Sequence, residues 1–82
     1  MEDQPTVTVY GKPRCIQCDA TKRKLDKHGI PYTYVDVTEN PDALAHIKAL
    51  GYTSAPVVEL SNGIDSWSGY QPGKLALIAE GF

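Results

Sequence analysis

At 82 residues, 41% of them hydrophobic, the chain has the length of one small domain and the makeup of an ordinary globular protein. Its formal net charge of −2 argues against a nucleic-acid binder, which carries a basic excess, and no apolar run approaches the ~20 residues of a membrane span. The acidic, polar start MEDQPT is unlike a secretory leader, so the protein is expected in the cytoplasm, with residues 1–5 a flexible N-terminal segment and 6–82 a single domain.

Residues 6–10, TVTVY, are β-branched and aromatic and are closed off by Gly11-Lys12-Pro13, which predicts a strand. The chain's two cysteines follow, as CIQC (15–18). From Cys15 to His28 the residues favour helix: Asp19 stands four before Arg23, Lys22 four before Asp26, and Gly29 where a helix ends. The helix so predicted holds both cysteines in its first turn. YTYVDV (32–37) alternates as a second strand, and Tyr32 and Tyr34 belong to the sheet as Tyr10 does. Asn40, Pro41 and Asp42 then supply an N-cap, a first-turn proline and an acid at the positive end of a second helix. Leu44, Ile47 and Leu50 share one face of it, and Gly51 stops it. In TSAPVVEL (53–60), Val57, Val58 and Leu60 form a strand. Ser61-Asn62-Gly63 makes a tight turn, and IDSW (64–67) is the partner strand. Pro72 opens a last helix with Leu75, Ile78 and Phe82 at helical spacing. The order β-α-β-α-β-β-α predicts an α/β fold: a parallel βαβ unit plus an antiparallel hairpin, giving a mixed four-stranded sheet with helices on both faces.

In the cytoplasm a cysteine pair stays mostly reduced, so a working or metal-binding role outweighs a structural staple. At a strand-to-helix junction Cys15 meets the unpaired N–H groups and positive dipole end of the helix, which favour a thiolate. The model thiol pKa is ~8.5, leaving a few per cent ionised at neutral pH, and a fall to ~7 ionises about half. Lys12 and Arg14 push the same way. Cys18, one turn further in, faces the core and is the resolving thiol that attacks the mixed disulfide at Cys15. A zinc half-site and an incidental pair are the alternatives. Zinc needs four ligands, and the histidines on offer, His28 and His46, are not at zinc-finger spacing, with His28 on the cysteines' own helix. Redox chemistry is the reading adopted, with no metal.

Pro56 precedes a strand and costs a ladder hydrogen bond if mid-sheet, so it is an edge device or a cis proline. Six of the eight basic residues lie between Lys12 and Lys27, and form either a solvated helix face or a docking surface for an acidic partner. Trp67, as a lone tryptophan, first suggests packing. His28 and His46 receive no role.

Taken together, VYGKPRCIQC, TSAPVV and WSGYQP resemble the glutaredoxin branch of the thioredoxin fold, and within it the NrdH-redoxins, over nearly the whole chain from Thr6. The pattern C-[VI]-Q-C joined to W-S-G-[FY]-x-P is sharper than CxxC alone. The resemblance implies a nucleophilic Cys15 and a resolving Cys18, with Ile16 and Gln17 between them in the partner-facing motif. It also implies that Pro56 is cis and that Ala55 pairs its backbone with an extended substrate segment. It implies reduction by thioredoxin reductase with electrons from NADPH, delivery to the large subunit of class Ib ribonucleotide reductase, no bound cofactor, and action as a monomer. Tyr70, Gln71 and Gly73 depart from the family's W-S-G-F-R-P-[DE], so an Arg–carboxylate tie within this loop is absent. Glutaredoxins also carry an acidic pair that holds the amino group of glutathione, whereas SGYQPGK has no acid. Two rivals remain: a glutathione-dependent glutaredoxin, and a non-enzymatic CxxC redox-sensing module of the kind that binds RNA polymerase, whose chains are longer. With Ser68, Gly69 and Tyr70, a partly exposed Trp67 is expected to form the surface on which both partners dock, Gly69 admitting a partner backbone.

Overall fold

The computed structural model describes residues 6–61 and 65–79, and side-chain alternation builds its sheet. In β1 (Val7–Gly11), Val7, Val9 and Gly11 are buried while Thr8 and Tyr10 on the opposite face are half-buried. Among the described residues there follow α1 (Ile16–Lys27), β2 (Thr33–Asp36), α2 (Pro41–Ala49), β3 (Val57–Leu60), β4 (Asp65–Ser68) and α3 (Pro72–Ala79). The strands stand in the order β2-β1-β3-β4. The β1–β2 pair is parallel, and the β1–β3 and β3–β4 pairs are antiparallel, as predicted. One face of the sheet packs Val7, Val9, Val58, Leu60 and Trp67 against Leu25 of α1 and Leu75 and Ile78 of α3. The other face packs Val57 and Tyr10 against Ile47 and Leu44 of α2.

Several boundaries differ from the sequence expectation, each for a local reason. The first strand runs through Gly11, which pairs with Asp36 and accepts a hydrogen bond from Val37 N at 2.9 Å. Tyr34 lies across Gly11 so closely that a Cβ there would collide with its ring and hydroxyl. Lys22 Nζ sits 4.2 Å above the centre of the same ring. Lys22 also reaches back to Asp19 at 3.7 Å, so Asp19 is met by the residue three ahead of it rather than by Arg23.

In α2 the side chain of Asn40 caps the helix by accepting from Ala43 N at 3.1 Å, and Pro41 follows in its first turn. The helix closes at Ala49, because Gly51 (φ 93°) turns the chain and returns its N–H to Lys48 O. Leu50 therefore lies beyond the helix and is 44% exposed, not part of the buried face with Ile47. The hairpin pairs Val57 with Ser68 through to Leu60 with Asp65, so the second strand runs one residue beyond the predicted end at Trp67, and Ile64 lies outside the described residues. Residues 1–5, the Asn62-Gly63 turn and Phe82 lie outside the described residues.

Candidate active site

Arg14, in the left-handed region at φ 58°, links the end of β1 to the start of α1. Such a backbone costs an L-residue roughly 1–2 kcal/mol. Cys15 then takes an extended conformation and serves as the N-cap of α1; it does not sit inside the first turn, where the sequence placed it. Its sulfur accepts from Cys18 N at 3.1 Å, the part a serine or aspartate oxygen ordinarily plays at this position. The sulfur thus occupies the point where the helix presents unpaired N–H groups, and negative charge on it is favoured there. Cys15 and Cys18 are joined in a disulfide, with Cα atoms 5.1 Å apart. Cys15 is 8% exposed and Cys18 0%, so an incoming thiolate meets Cys15 first.

Three stretches distant in sequence converge beside this pair. The Ala55–Pro56 bond is cis, as the resemblance implied. Pro56 is buried, and its carbonyl accepts from Gly69 N at 2.8 Å. The next N–H, that of Tyr70, donates to Gln17 Oε1 of the CIQC motif at 2.9 Å. Gln71 Nε2 donates to Ser68 O at 3.0 Å, and the Ser68 hydroxyl to Ser54 O at 3.1 Å. Neutral amide and hydroxyl contacts therefore hold this turn where the family pattern has an arginine and an acid. Ile16, 84% exposed, and Tyr70, 36% exposed, present apolar surface around the site.

Trp67 departs from expectation. It is 5% exposed and packs in the core beneath α1 and α3, because strand alternation pairs it with Val58 on the buried face. Its ring is no part of the surface, and its buried Nε1 has no hydrogen-bond partner among the described residues. Gly69 also has a local reason to be glycine: its φ of 87° is strained for any side chain.

Lys12 borders a cavity of about 140 Å³ that lies between α2 and the segment leading to Ala55, with Leu44 and Ile47 in its lining and Lys48 also at its border. Lys12, Arg14, Arg23 and Lys27 are exposed, whereas Lys22 is partly committed to Tyr34 and Asp19. His28 caps the far end of α1. His46, to which the sequence assigned no role, meets both oxygens of Glu59 at 3.0 and 3.1 Å, and Tyr10 Oη donates to the same carboxylate at 3.0 Å. Burial, then the hydrogen bond to Glu59 and its charge, push the Tyr10 phenol up to about 12. Strand register brings Tyr10 and Glu59 to one face, and no spacing within either strand announces it.

Comparison with known proteins bears directly on this geometry. The glutaredoxin family model matches residues 7–63. Glutaredoxin-like protein NrdH of Salmonella typhimurium is 39% identical over 67 residues, 82% of this chain and 80% of that protein. Its counterpart from Lactococcus lactis subsp. cremoris is 33% identical over 73 residues, 89% and 99% of the two chains. The chain belongs to the glutaredoxin family, in its NrdH-redoxin branch. Among solved structures, the glutaredoxin-like NrdH-redoxin of Escherichia coli, described there with a thioredoxin-like activity profile, matches with a TM-score of 0.82 at 33% identity. That match covers 88% of this chain and 92% of the other. A glutaredoxin of Archaeoglobus fulgidus, 23% identical with a TM-score of 0.76 over 98% and 91% of the chains, shares the fold. This NrdH-type chain, with its Cys15–Cys18 pair, is a glutaredoxin-like thiol-disulfide oxidoreductase of the thioredoxin fold. Among the described residues no helix is long and apolar enough to cross a membrane.

Proposed function

We propose that this protein is a cytoplasmic, monomeric dithiol carrier that reduces the large subunit of class Ib ribonucleotide reductase and is itself re-reduced by thioredoxin reductase, with no cofactor of its own. The Cys15 thiolate attacks one sulfur of the target disulfide, expelling the other as a thiolate and leaving a mixed disulfide. The Cys18 thiolate then attacks Cys15 Sγ, which closes the internal disulfide and releases the target as a dithiol. Two electrons and two protons pass in all. The reductase reverses the sequence, with the electrons coming from NADPH. Placement of Cys15 as the helix cap, with Cys18 sealed behind it, supports the order of attack.

The observation that carries the choice of partner is the turn after Ser68. Gly69, Tyr70, Gln71, Pro72, Gly73 and Lys74 include no carboxylate, so the ammonium group of glutathione finds no counter-ion there. The likeness to proteins called glutaredoxin-like protein NrdH points the same way. The test mixes oxidised protein with NADPH and either thioredoxin reductase or glutathione plus glutathione reductase, and follows NADPH consumption. Rapid turnover with thioredoxin reductase and slow turnover with glutathione is expected. Comparable rates would restore the glutaredoxin reading.

A further inference from the structure

We infer that Gln17 is a positioning residue: by accepting the Tyr70 N–H, its side-chain carbonyl fixes the turn between β4 and α3 beside Cys15, so that the partner-facing surface is formed before a partner arrives. The two residues are 53 positions apart, and the contact is 2.9 Å long. Gln17 lies within the CIQC motif, between the two sulfurs, so whatever it holds is referenced directly to Cys15. The turn's other anchors do not do this. Gly69 N binds Pro56 O, Ser68 Oγ binds Ser54 O, and Gln71 Nε2 binds Ser68 O, none of which involves the cysteine motif.

Gly69 serves the same contact. Its φ of 87° directs the following N–H toward α1, and a Cβ built on it would stand 3.4 Å from Gln17 Oε1, already at van der Waals contact. A side chain at this position is opposed by the backbone and starts against the acceptor. The glycine is thereby explained from within the chain, without the close approach of a partner backbone that the sequence suggested.

The consequence for activity is preorganisation. Ile16 and Tyr70 are the exposed apolar residues at the two ends of this bridge. If the Tyr70 N–H is released to water, the turn has to be ordered at each encounter, a cost that falls on binding and not on sulfur chemistry. One neutral hydrogen bond of ordinary net strength corresponds to about a three- to tenfold change in affinity. The inference rests on docking at the Ile16–Tyr70 face, and it is tested without thioredoxin reductase so that its fate is separate from the choice of reductase.

The experiment compares wild type with Gln17→Ala and Gln17→Glu, using insulin as the protein disulfide and dithiothreitol as electron source, in about 0.5 M salt to screen the added carboxylate. Glutamate keeps an oxygen acceptor for Tyr70 but has no N–H to offer a partner. Amide hydrogen exchange at Tyr70 and alkylation of reduced Cys15 by iodoacetamide are measured alongside. For Gln17→Ala, exchange at Tyr70 is expected to rise about tenfold or more, and KM for insulin about three- to tenfold, with kcat and the alkylation rate unchanged. Gln17→Glu is expected to restore Tyr70 protection and a KM within about twofold of wild type. Unchanged Tyr70 exchange or unchanged KM in Gln17→Ala overturns the inference. A protected Tyr70 in Gln17→Glu combined with the elevated KM of Gln17→Ala also overturns it, since Gln17 would then act by touching the partner.

Discussion

Cys15 and Cys18 differ in exposure and in place, and those differences support the roles proposed for them. Cys15 caps α1 and keeps a small exposure of 8%, whereas Cys18 is fully enclosed. Replacing Cys18 with serine should therefore trap a mixed disulfide through Cys15, detectable as a covalent adduct that dithiothreitol releases. In the reduced wild type, iodoacetamide at neutral pH should label Cys15 faster than Cys18; the opposite order would reverse the assignment. The placement of both cysteines at a helix start, on which the proposed roles rest, was legible in the sequence. The cluster of Tyr10, Glu59 and His46 was not, since it depends on the register between β1 and β3 and on where α2 crosses them. It makes a pH prediction. The Tyr10 phenol is raised from 10.0 to about 12 in the fold, so its neutral form is favoured there. Its contribution to stability is complete below the unfolded value of 10.0 and is lost as pH rises toward about 12. Tyr10→Phe should lose less stability than wild type over that interval in denaturant titrations. Parallel curves for the two proteins would show that the phenol does not titrate as the geometry demands.

At the scale of elements, the turn from β4 into α3 joins packing to docking, and its residues should separate on mutation. Trp67 lies under the helices, so Trp67→Ala should cost about 3–5 kcal/mol of stability. Well below its melting temperature, that variant should still be reduced by thioredoxin reductase at near the wild-type rate. Gly69→Val forces a β-branched residue into a left-handed backbone against Gln17 and should lower the reductase rate several-fold with a stability loss of about 1–3 kcal/mol. A folded Gly69→Val reduced at the wild-type rate would remove this turn from the docking surface. DSWS offers no clue of its own to the burial of Trp67, since Asp65 two residues earlier is exposed; the indole turns inward through the register that pairs it with Val58. The lone indole beside a reactive thiol suggested a hot spot instead. Helix ends were legible where a cap has a signature, as at Asn40-Pro41, and less so at Cys15, because cysteine is not a familiar capping residue. The charges around the start of α1 carry their own test. Lys12→Glu with Arg14→Glu should slow association with an acidic partner, weaken the salt dependence of that rate, and lower Cys15 reactivity toward a neutral alkylating agent. No change in any of the three would mean a solvated face.

Across the whole molecule, a chain of net charge −2 gathers six of its eight basic residues between Lys12 and Lys27, on the segment that carries its redox pair. The order of elements and the topology of the sheet followed from strand and helix patterns, because a βαβ unit and a hairpin leave few ways to close one small sheet. The contacts that join CIQC, Pro56 and the Gly69 turn did not, since each is a hydrogen bond to a backbone group whose position only the fold defines. Those contacts bring the reactive sulfur and its surroundings into one face, on which the proposed carrier role depends. The most direct test reconstitutes the full electron path: NADPH, thioredoxin reductase, a catalytic amount of this protein, and class Ib ribonucleotide reductase, with deoxyribonucleotide formation as the readout. Sustained turnover is expected with wild type, falling to the level of the mixture without redoxin when Cys15 is replaced by serine. Turnover with wild type no higher than in that redoxin-free mixture would contradict the account.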